Sequence, residues 1–169
     1  MSKGPMDCPG EGRRGPRIIV DADACPRNVL QMCSSVGREM EVSLVTVASF
    51  NHDIQSDDHI VVDDSPEAAD IKIMNMMRSR DIIVSQDWGL AAMALARGAA
   101  CVSPRGHEYD EDQMDGMLEI REALAKHRRS GGKTGGPKKR VQRDDGRFEA
   151  TLRRLVKEAK GEGHGESRT

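Results

Sequence analysis

The chain has 169 residues, 37% of them hydrophobic, which suits one globular domain with its own core and excludes a mini-protein held by disulfides. With one Trp, one Tyr and two Phe, it lacks the aromatic platform on which single-stranded nucleic acids stack. The net charge of −2 is a cancellation, because residues 121–160 hold 14 basic and 5 acidic residues and the rest hold 12 and 23. A basic segment beside an acidic body is compatible with a nucleic-acid partner.

Apolar runs and helical periodicities alternate along the chain. Short apolar runs predict five strands, at 17–21, 41–48, 59–62, 81–85 and 100–102. Helices are predicted at 26–38, 66–79, 89–97, 110–128 and 144–160. Pro26 and Pro66 are expected at first helical positions, with Ser65 as the N-cap before the second. This alternation indicates an α/β protein with a mostly parallel, doubly wound sheet.

The same pattern divides the chain into segments. Residues 1–16 and 161–169 are polar tails that we expect to be disordered. The α/β domain spans 17–128, and a basic, glycine-rich linker follows over 129–143. The helix at 144–160 is expected to pack on the domain through one apolar face, formed by Phe148, Leu152, Leu155, Val156 and Ala159.

The N-terminal composition and the cysteines indicate the compartment. The first 16 residues lack the apolar stretch of a signal peptide, and no apolar run approaches the ~18 residues that cross a bilayer. The four cysteines, Cys8, Cys25, Cys33 and Cys101, have no C-x-x-C spacing and are expected to be reduced. We therefore expect a cytoplasmic protein that does not enter a membrane.

Carboxylates follow two of the predicted strands. Asp21 and Asp23 end the first strand, and Asp87 follows the fourth. Asp70 lies in the middle of the apolar stripe of the helix at 66–79, about one turn inside it. Because ligands of doubly wound sheets bind beyond the carboxyl ends of the strands, we expect these acids to converge there. Converging carboxylates repel one another unless a hard cation such as Mg²⁺ or Mn²⁺ lies between them.

Each aspartate also has an ordinary structural explanation. Asp21 and Asp23 are suited to cap the helix that follows them. Asp87 is suited to cap the helix at 89–97, and Asp70 to pair with an arginine distant in sequence. Four further acidic residues are expected to be solvated loop charge: Asp57, Asp58, Asp63 and Asp64.

Basic residues offer phosphate contacts at two places. Arg105 follows the fifth strand at the same edge as the aspartates, in a segment that also suits a simple surface turn. Lys138, Lys139 and Arg140 lie in the predicted linker, where they bind a phosphate backbone or are merely solvated.

Several short motifs stand in a fixed order along the chain. They are Asp21-Ala22-Asp23-Ala24-Cys25-Pro26, Ala69-Asp70, Asp87, Pro104-Arg105-Gly106, Thr134-Gly135-Gly136-Pro137, Arg143-Asp144 and Phe148. Together they resemble the YaiI/YqxD family of uncharacterised bacterial proteins over about residues 17–157. That family looks like a branch of the PIN-like nuclease superfamily, which implies a Rossmann-like sheet and an acidic Mg²⁺ or Mn²⁺ site.

The resemblance also implies roles for particular residues. Asp21, Asp70 and Asp87 take the places of metal-binding acids, and Asp23 is a further catalytic candidate. The chain departs from the pattern at Asp70, where the superfamily often has glutamate, and after Asp87, where a small apolar pair is replaced by Trp88 and Gly89.

Three functions compete on this basis. The first is a metal-dependent nuclease acting on RNA, in which Asp23 orients the attacking water. The second is an RNA- or protein-binding module that keeps the acidic pocket without turnover. The third is a phosphatase of the haloacid dehalogenase type, with Asp21 as the nucleophile and Asp23 as the acid/base. That class needs a further lysine and a late acidic pair, which the sequence does not place.

Overall fold

One parallel sheet with helices on both faces makes up the domain. The computed structural model of the protein describes residues 15–49, 56–65, 67–112 and 142–161. The strands of this part are β1 Arg17–Asp21, β2 Ser43–Ala48, β3 Asp58–Val61, β4 Ile82–Val84 and β5 Ala100–Val102. The α-helices that flank them are α1 Arg27–Met40, α2 Ala68–Met76, α3 Trp88–Ala96 and α4 Gln142–Ala159. The predicted Rossmann-like α/β class with a C-terminal helix is confirmed, and every pairing within the described sheet is parallel.

The strand order places a topological switch point at the middle of the sheet. The order is β3-β2-β1-β4-β5, so the chain builds outward from β1 through β2 and β3 and then crosses to β4 on the other side of β1. Val20 pairs with Val84 in the register between β1 and β4. The residues that follow, Asp21 and Ser85, therefore leave the sheet side by side at its carboxyl edge, where doubly wound folds bind their ligands.

Two apolar layers cover the sheet because successive residues of a strand point to opposite faces. Ile18 and Val20 of β1 pack with residues of α1 and α4, whereas Ile19 packs with residues of α2 and α3. No helix in the described part of the chain has both the length and the apolar composition needed to cross a bilayer.

The last helix, α4, is a structural part of the domain. Its predicted apolar face is confirmed, since Phe148 and Leu152 are fully buried. Polar contacts fix the helix at both ends. Asn28 Nδ2 of α1 donates to Asp145 Oδ1 at 2.8 Å, and Lys160 Nζ donates to the Met40 carbonyl oxygen at 2.6 Å.

Two predicted helix starts are wrong. Pro26 has extended backbone (φ −60°, ψ 149°) and is the N-cap of α1, so the first helical residue is Arg27. In α2, the backbone N–H of Ser65 donates to Asp63 Oδ1 at 3.0 Å, which holds Ser65 in a turn before the helix. The N-cap of α2 is Glu67.

Other predicted boundaries shift or lie beyond the described residues. Helix α2 ends at Met76, because Met77 is already extended. Helix α4 begins at Gln142, two residues before the predicted start. Two predicted segments lie outside the described residues, namely the helix at 110–128 from residue 113 onward and the linker up to residue 141. The same holds for the three basic residues of that linker, Lys138, Lys139 and Arg140.

Gly106, in the turn after β5, lies against the backbone of α4. Its φ is +90°, and a Cβ added there would lie 2.7 Å from both the carbonyl carbon of Arg147 and the backbone nitrogen of Phe148. We expect Gly106→Ala to lower the free energy of unfolding by about 2 kcal/mol, because a helix backbone cannot move aside. Gly146, with open space at its Cβ position, is the matched control. Gly146→Ala is expected to raise stability by about 0.5 to 1 kcal/mol. Urea unfolding followed by circular dichroism checks both, and a shift of the same sign in the two variants would contradict the packing of this turn.

Candidate functional site

A cavity of about 480 Å³ lies at the carboxyl edge of the sheet, at the switch point between β1 and β4. Its described lining contains five aspartates and no basic side chain. The acidic members are Asp21, Asp23, Asp64, Asp70 and Asp87. The others are small or polar: Ala24, Ser49, Ser65, Ala69, Ser85 and Gln86. The structure thus brings the four aspartates singled out in the sequence to one cavity and adds Asp64.

Asp21 is half-buried at the end of β1. No donor among the described residues reaches its carboxyl group, although it occupies the N-cap position of the short 3₁₀ turn Ala22–Ala24. Burial, followed by the charges of Asp70, Asp23 and Asp87, raises the pKa of Asp21 from 3.8 to about 6. The helix-capping explanation therefore does not account for Asp21.

Asp81, at the opposite edge of the sheet, is a buried carboxylate with a structural role and can be compared with Asp21. It is only 1% exposed. Arg17 pairs with it through Nη2 and Oδ2 at 2.8 Å. The backbone N–H groups of Arg17 and Arg78 donate to it at 3.2 and 2.8 Å. A buried carboxylate of this protein thus receives a cation and several donors, whereas Asp21 receives none from the described residues.

Asp87 has the structural contact expected of an N-cap. Its Oδ1 accepts from the backbone N–H of Leu90 at 2.8 Å, at the start of α3. Its own N–H donates to Ser85 Oγ at 3.0 Å. The cap fixes the Asp87 carboxyl group at the cavity wall, so a structural role and a place in the acidic cluster coexist in one residue.

Asp70 lies in the first turn of α2, and the expectation that it sits one turn inside the helix is wrong because α2 starts later. Ile73 and Met77, three and seven residues after Asp70 and so part of the apolar stripe of the predicted helix, are buried. No basic side chain of the described residues forms an ion pair with Asp70, so the expected distant arginine is absent there. Burial raises the pKa of Asp70, and so do the charge of Asp87 and a hydrogen bond between the two carboxyl groups.

Asp23 is exposed in the 3₁₀ turn after β1. Its Oδ2 accepts from the backbone N–H of Ser49 at 2.8 Å. The contact joins the end of β1 to the residue that follows β2, so the capping of α1 expected for Asp23 is replaced by a bridge between two strand ends.

The aspartates expected to be solvated are exposed, but three of them have definite places. Asp57 Oδ2 accepts from the backbone N–H of Leu44 at 2.7 Å. Asp63 binds the N–H of Ser65, and that turn carries Asp64 to the cavity. The expectation that Asp64 is plain loop charge is therefore incomplete.

Arg105 and Trp88 do not belong to the described lining of the cavity. Arg105 is half-buried in the turn after β5, beside α4. Trp88 packs edge-on against Tyr109, with ring centroids 4.9 Å apart. Sequence reasoning missed Ser85 and Gln86, whose side chains have no distinctive motif. Ser85 is nevertheless buried, and Gln86 Nε2 reaches the Ala24 carbonyl oxygen at 3.5 Å.

The donor chemistry of the cavity suits a hard divalent cation. The acidic side chains that line the cavity offer carboxylate oxygens, the ligand type that Mg²⁺ and Mn²⁺ prefer. Within the described residues, however, no group of three or more His, Cys, Asp or Glu side chains has an arrangement that could hold a metal ion. The cluster is a convergence of acids whose charge no described basic residue of the lining compensates.

The raised pKa of Asp21 predicts how metal-free protein responds to pH. Because the folded-state pKa is about 6 and the usual value is 3.8, folded protein binds more protons than unfolded protein between these values. The stability that Asp21 contributes through this extra proton is complete below its usual pKa and is lost as pH rises through its folded-state pKa. We expect the free energy of unfolding to fall by about 1 to 2 kcal/mol over this pH range. The pKa shift alone corresponds to about 3 kcal/mol, and solvent screening at a half-buried group reduces that value. Urea unfolding in EDTA between about pH 4 and 7 measures it, with Asp21→Asn as the variant that flattens the profile.

Fold and cavity together define a parallel α/β protein with an acidic cavity at its topological switch point. A family model described as "Uncharacterized BCR, YaiI/YqxD family" matches residues 19–158. The chain is 47% identical over 145 residues to a UPF0178 protein of Heliobacterium modesticaldum, covering 86% of this chain and 99% of that protein. It is 43% identical over 147 residues to a UPF0178 protein of Clostridium novyi, covering 85% and 97%. No solved structure matches the chain significantly. The chain belongs to the YaiI/YqxD family.

Proposed function

We propose that this protein is a Mg²⁺- or Mn²⁺-dependent nuclease that hydrolyses phosphodiester bonds in RNA. The observation that carries the proposal is the switch-point cavity, where five carboxylates meet without a basic residue in the described lining. Asp21 is half-buried there without a donor, in a fold that supplies Asp81 with an arginine and backbone N–H groups. Because an uncompensated buried carboxylate is costly, its persistence at a ligand-binding edge favours a cation as the missing partner.

The proposal assigns different tasks to the aspartates. Asp21, Asp70 and Asp87 would hold the metal, because they come from β1, α2 and the start of α3 and surround one cavity. A bound divalent ion supplies Lewis-acid polarisation of the phosphodiester and lowers the pKa of water. Asp23, held in place by the Ser49 N–H at the cavity, would orient the attacking water and take its proton on the carboxylate.

The RNA substrate rests on charge and on resemblance. Residues 121–160 carry 14 basic and 5 acidic residues, which favours a polyanionic partner for an otherwise acidic chain. The motif order resembles the YaiI/YqxD family, and that family looks like a branch of the PIN-like nucleases, which points to the same class of substrate. Lys138, Lys139 and Arg140 keep their predicted phosphate-binding role as part of this proposal.

A binding module without turnover is the second candidate. Asp87 caps α3 and Asp23 binds Ser49, so both carboxylates have contacts that need no metal. The phosphatase alternative has less support, because no lysine occurs in the described lining around Asp21.

An assay with purified protein separates these functions. Structured RNA, single-stranded RNA and single-stranded DNA are incubated with the protein in Mn²⁺ and in EDTA. The proposal expects cleavage of RNA in Mn²⁺ and none in EDTA. RNA binding without cleavage in any metal would favour the binding module, and a phosphoryl group trapped on Asp21 would favour the phosphatase.

A further inference from the structure

Four arginines lie at the carboxyl edge of the sheet, outside the acidic cavity. They are Arg27, Arg105, Arg143 and Arg147, called here the arginine strip. Arg27 opens α1, three residues after Ala24 of the cavity lining. The next residue, Asn28, donates to Asp145 of α4 at 2.8 Å, which brings the first turns of α1 and α4 together. The strip therefore begins beside the cavity and continues onto α4.

Arg105 joins the strip through the turn after β5. A Cβ on its neighbour Gly106 would lie 2.6 Å from Cγ of Arg147, so this turn lies directly against that side chain. Thr151 Oγ1 donates to the Gly106 carbonyl oxygen at 3.1 Å and fixes the turn on α4. Arg143 precedes Arg147 by four residues, so both lie on the same side of the helix.

The arginines of the strip differ from those in the second half of α4. Arg153 pairs with Glu39 at 2.9 Å, and Arg154 pairs with Glu158 at 2.9 Å. No carboxylate of the described residues forms an ion pair with any of the four arginines of the strip. In the first turn of α4, Asp145 is held by Asn28, and Asp144 has an interaction of its own. The guanidinium groups of the strip are thus available to an anion.

We propose that the arginine strip binds the phosphodiester backbone of the nucleic acid and directs it to the acidic cavity. This inference rests on the proposed nuclease function. A polyanion meets repulsion from the five aspartates of the cavity, so its binding needs positive charge alongside. Arginine suits this task because its planar guanidinium donates two hydrogen bonds to one phosphate.

Salt-dependent binding tests the strip independently of cleavage. A fluorescein-labelled single-stranded RNA and the DNA of the same sequence are titrated with full-length protein in EDTA, at KCl concentrations from about 50 to 200 mM. Arg143→Gln/Arg147→Gln is compared with Arg154→Gln/Lys157→Gln, which removes the same charge from the other half of α4. Arg105→Gln, outside the helix, guards against a loss caused by helix damage.

The strip variant is expected to raise Kd about tenfold at about 50 mM KCl and to reduce the slope of log K against log salt by about 1.4, the share of two phosphate contacts on a single strand. The control pair is expected to change Kd less than about twofold, and Arg105→Gln about threefold. The proposal for the strip would be contradicted if both double variants lost affinity equally, if neither lost affinity, or if the wild-type protein did not bind. If the protein cleaves RNA but the strip variants bind as the wild-type protein does, the nuclease proposal stands and the strip proposal fails. If binding depends on the strip but no RNA is cleaved, the strip proposal stands and the nuclease proposal fails.

Discussion

Replacing Asp21 and Asp87 together with asparagine is expected to lower Mn²⁺-dependent RNA cleavage at least about a hundredfold, because two of the three proposed metal ligands lose their charge. Asparagine keeps the size of both side chains and is itself a good N-cap, so the Asp87 contact with the Leu90 N–H at the start of α3 is preserved. In EDTA, the double variant is expected to be at least as stable as the wild-type protein, since it removes repulsion among the carboxylates.

Asp58→Asn is the matched control for this pair. Asp58 is exposed at the start of β3, on the opposite edge of the sheet, and its replacement removes one negative charge where the double variant removes two. Its cleavage rate should equal that of the wild-type protein. Equal rates in wild-type protein and the Asp21→Asn/Asp87→Asn variant would identify a contaminating nuclease and remove these aspartates from the mechanism.

Arg17→Met is expected to have the largest effect on folding, with a loss of about 3 kcal/mol in the free energy of unfolding. The substitution leaves Asp81, which is 1% exposed, without its cation while the backbone N–H groups of Arg17 and Arg78 still contact it. Urea unfolding measures the effect, and a loss below about 1 kcal/mol would contradict the role of this pair.

Asp21 and Asp81 together distinguish two kinds of carboxylate in one sheet. Both lie at strand ends, yet Asp81 is surrounded by donors and Asp21 by other acids. Asp81→Asn should therefore destabilise the protein, and Asp21→Asn should stabilise the metal-free protein. Opposite signs of these two stability changes are expected when a site is arranged to bind a ligand and thereby lowers the stability of the free protein.

The sequence was sufficient to predict the acidic edge because strand ends follow from local patterns. Apolar runs ending at Asp21 and before Asp87 predict that these residues leave a parallel sheet at one edge, and β1 and β4 are indeed neighbours. The start of α2 was missed because the Asp63–Ser65 turn overrides the usual preference for proline at a first helical position. That turn also places Asp64 at the cavity, which no local pattern indicates.

Of the arginine strip, only Arg105 was predicted from the sequence, and the other three arginines were missed for a different reason. Arg27, Arg105 and Arg147 are far apart in sequence, and only the packing of α4 brings them to one surface. That packing depends on contacts such as Asn28 with Asp145, separated by 117 residues. The family model matches residues 19–158, so its match includes nearly all of the helix that completes this surface.

Isothermal titration of the protein with Mn²⁺ tests the central claim most directly, because it requires neither substrate nor turnover. Wild-type protein is compared with Asp70→Asn, which removes one proposed ligand, and with Asp58→Asn, which removes the same charge elsewhere. We predict that wild-type protein and Asp58→Asn bind Mn²⁺ alike and that Asp70→Asn binds it at least about tenfold more weakly. The absence of Mn²⁺ binding by wild-type protein, or equal binding by all three, would contradict a metal centre at the carboxyl edge of the sheet.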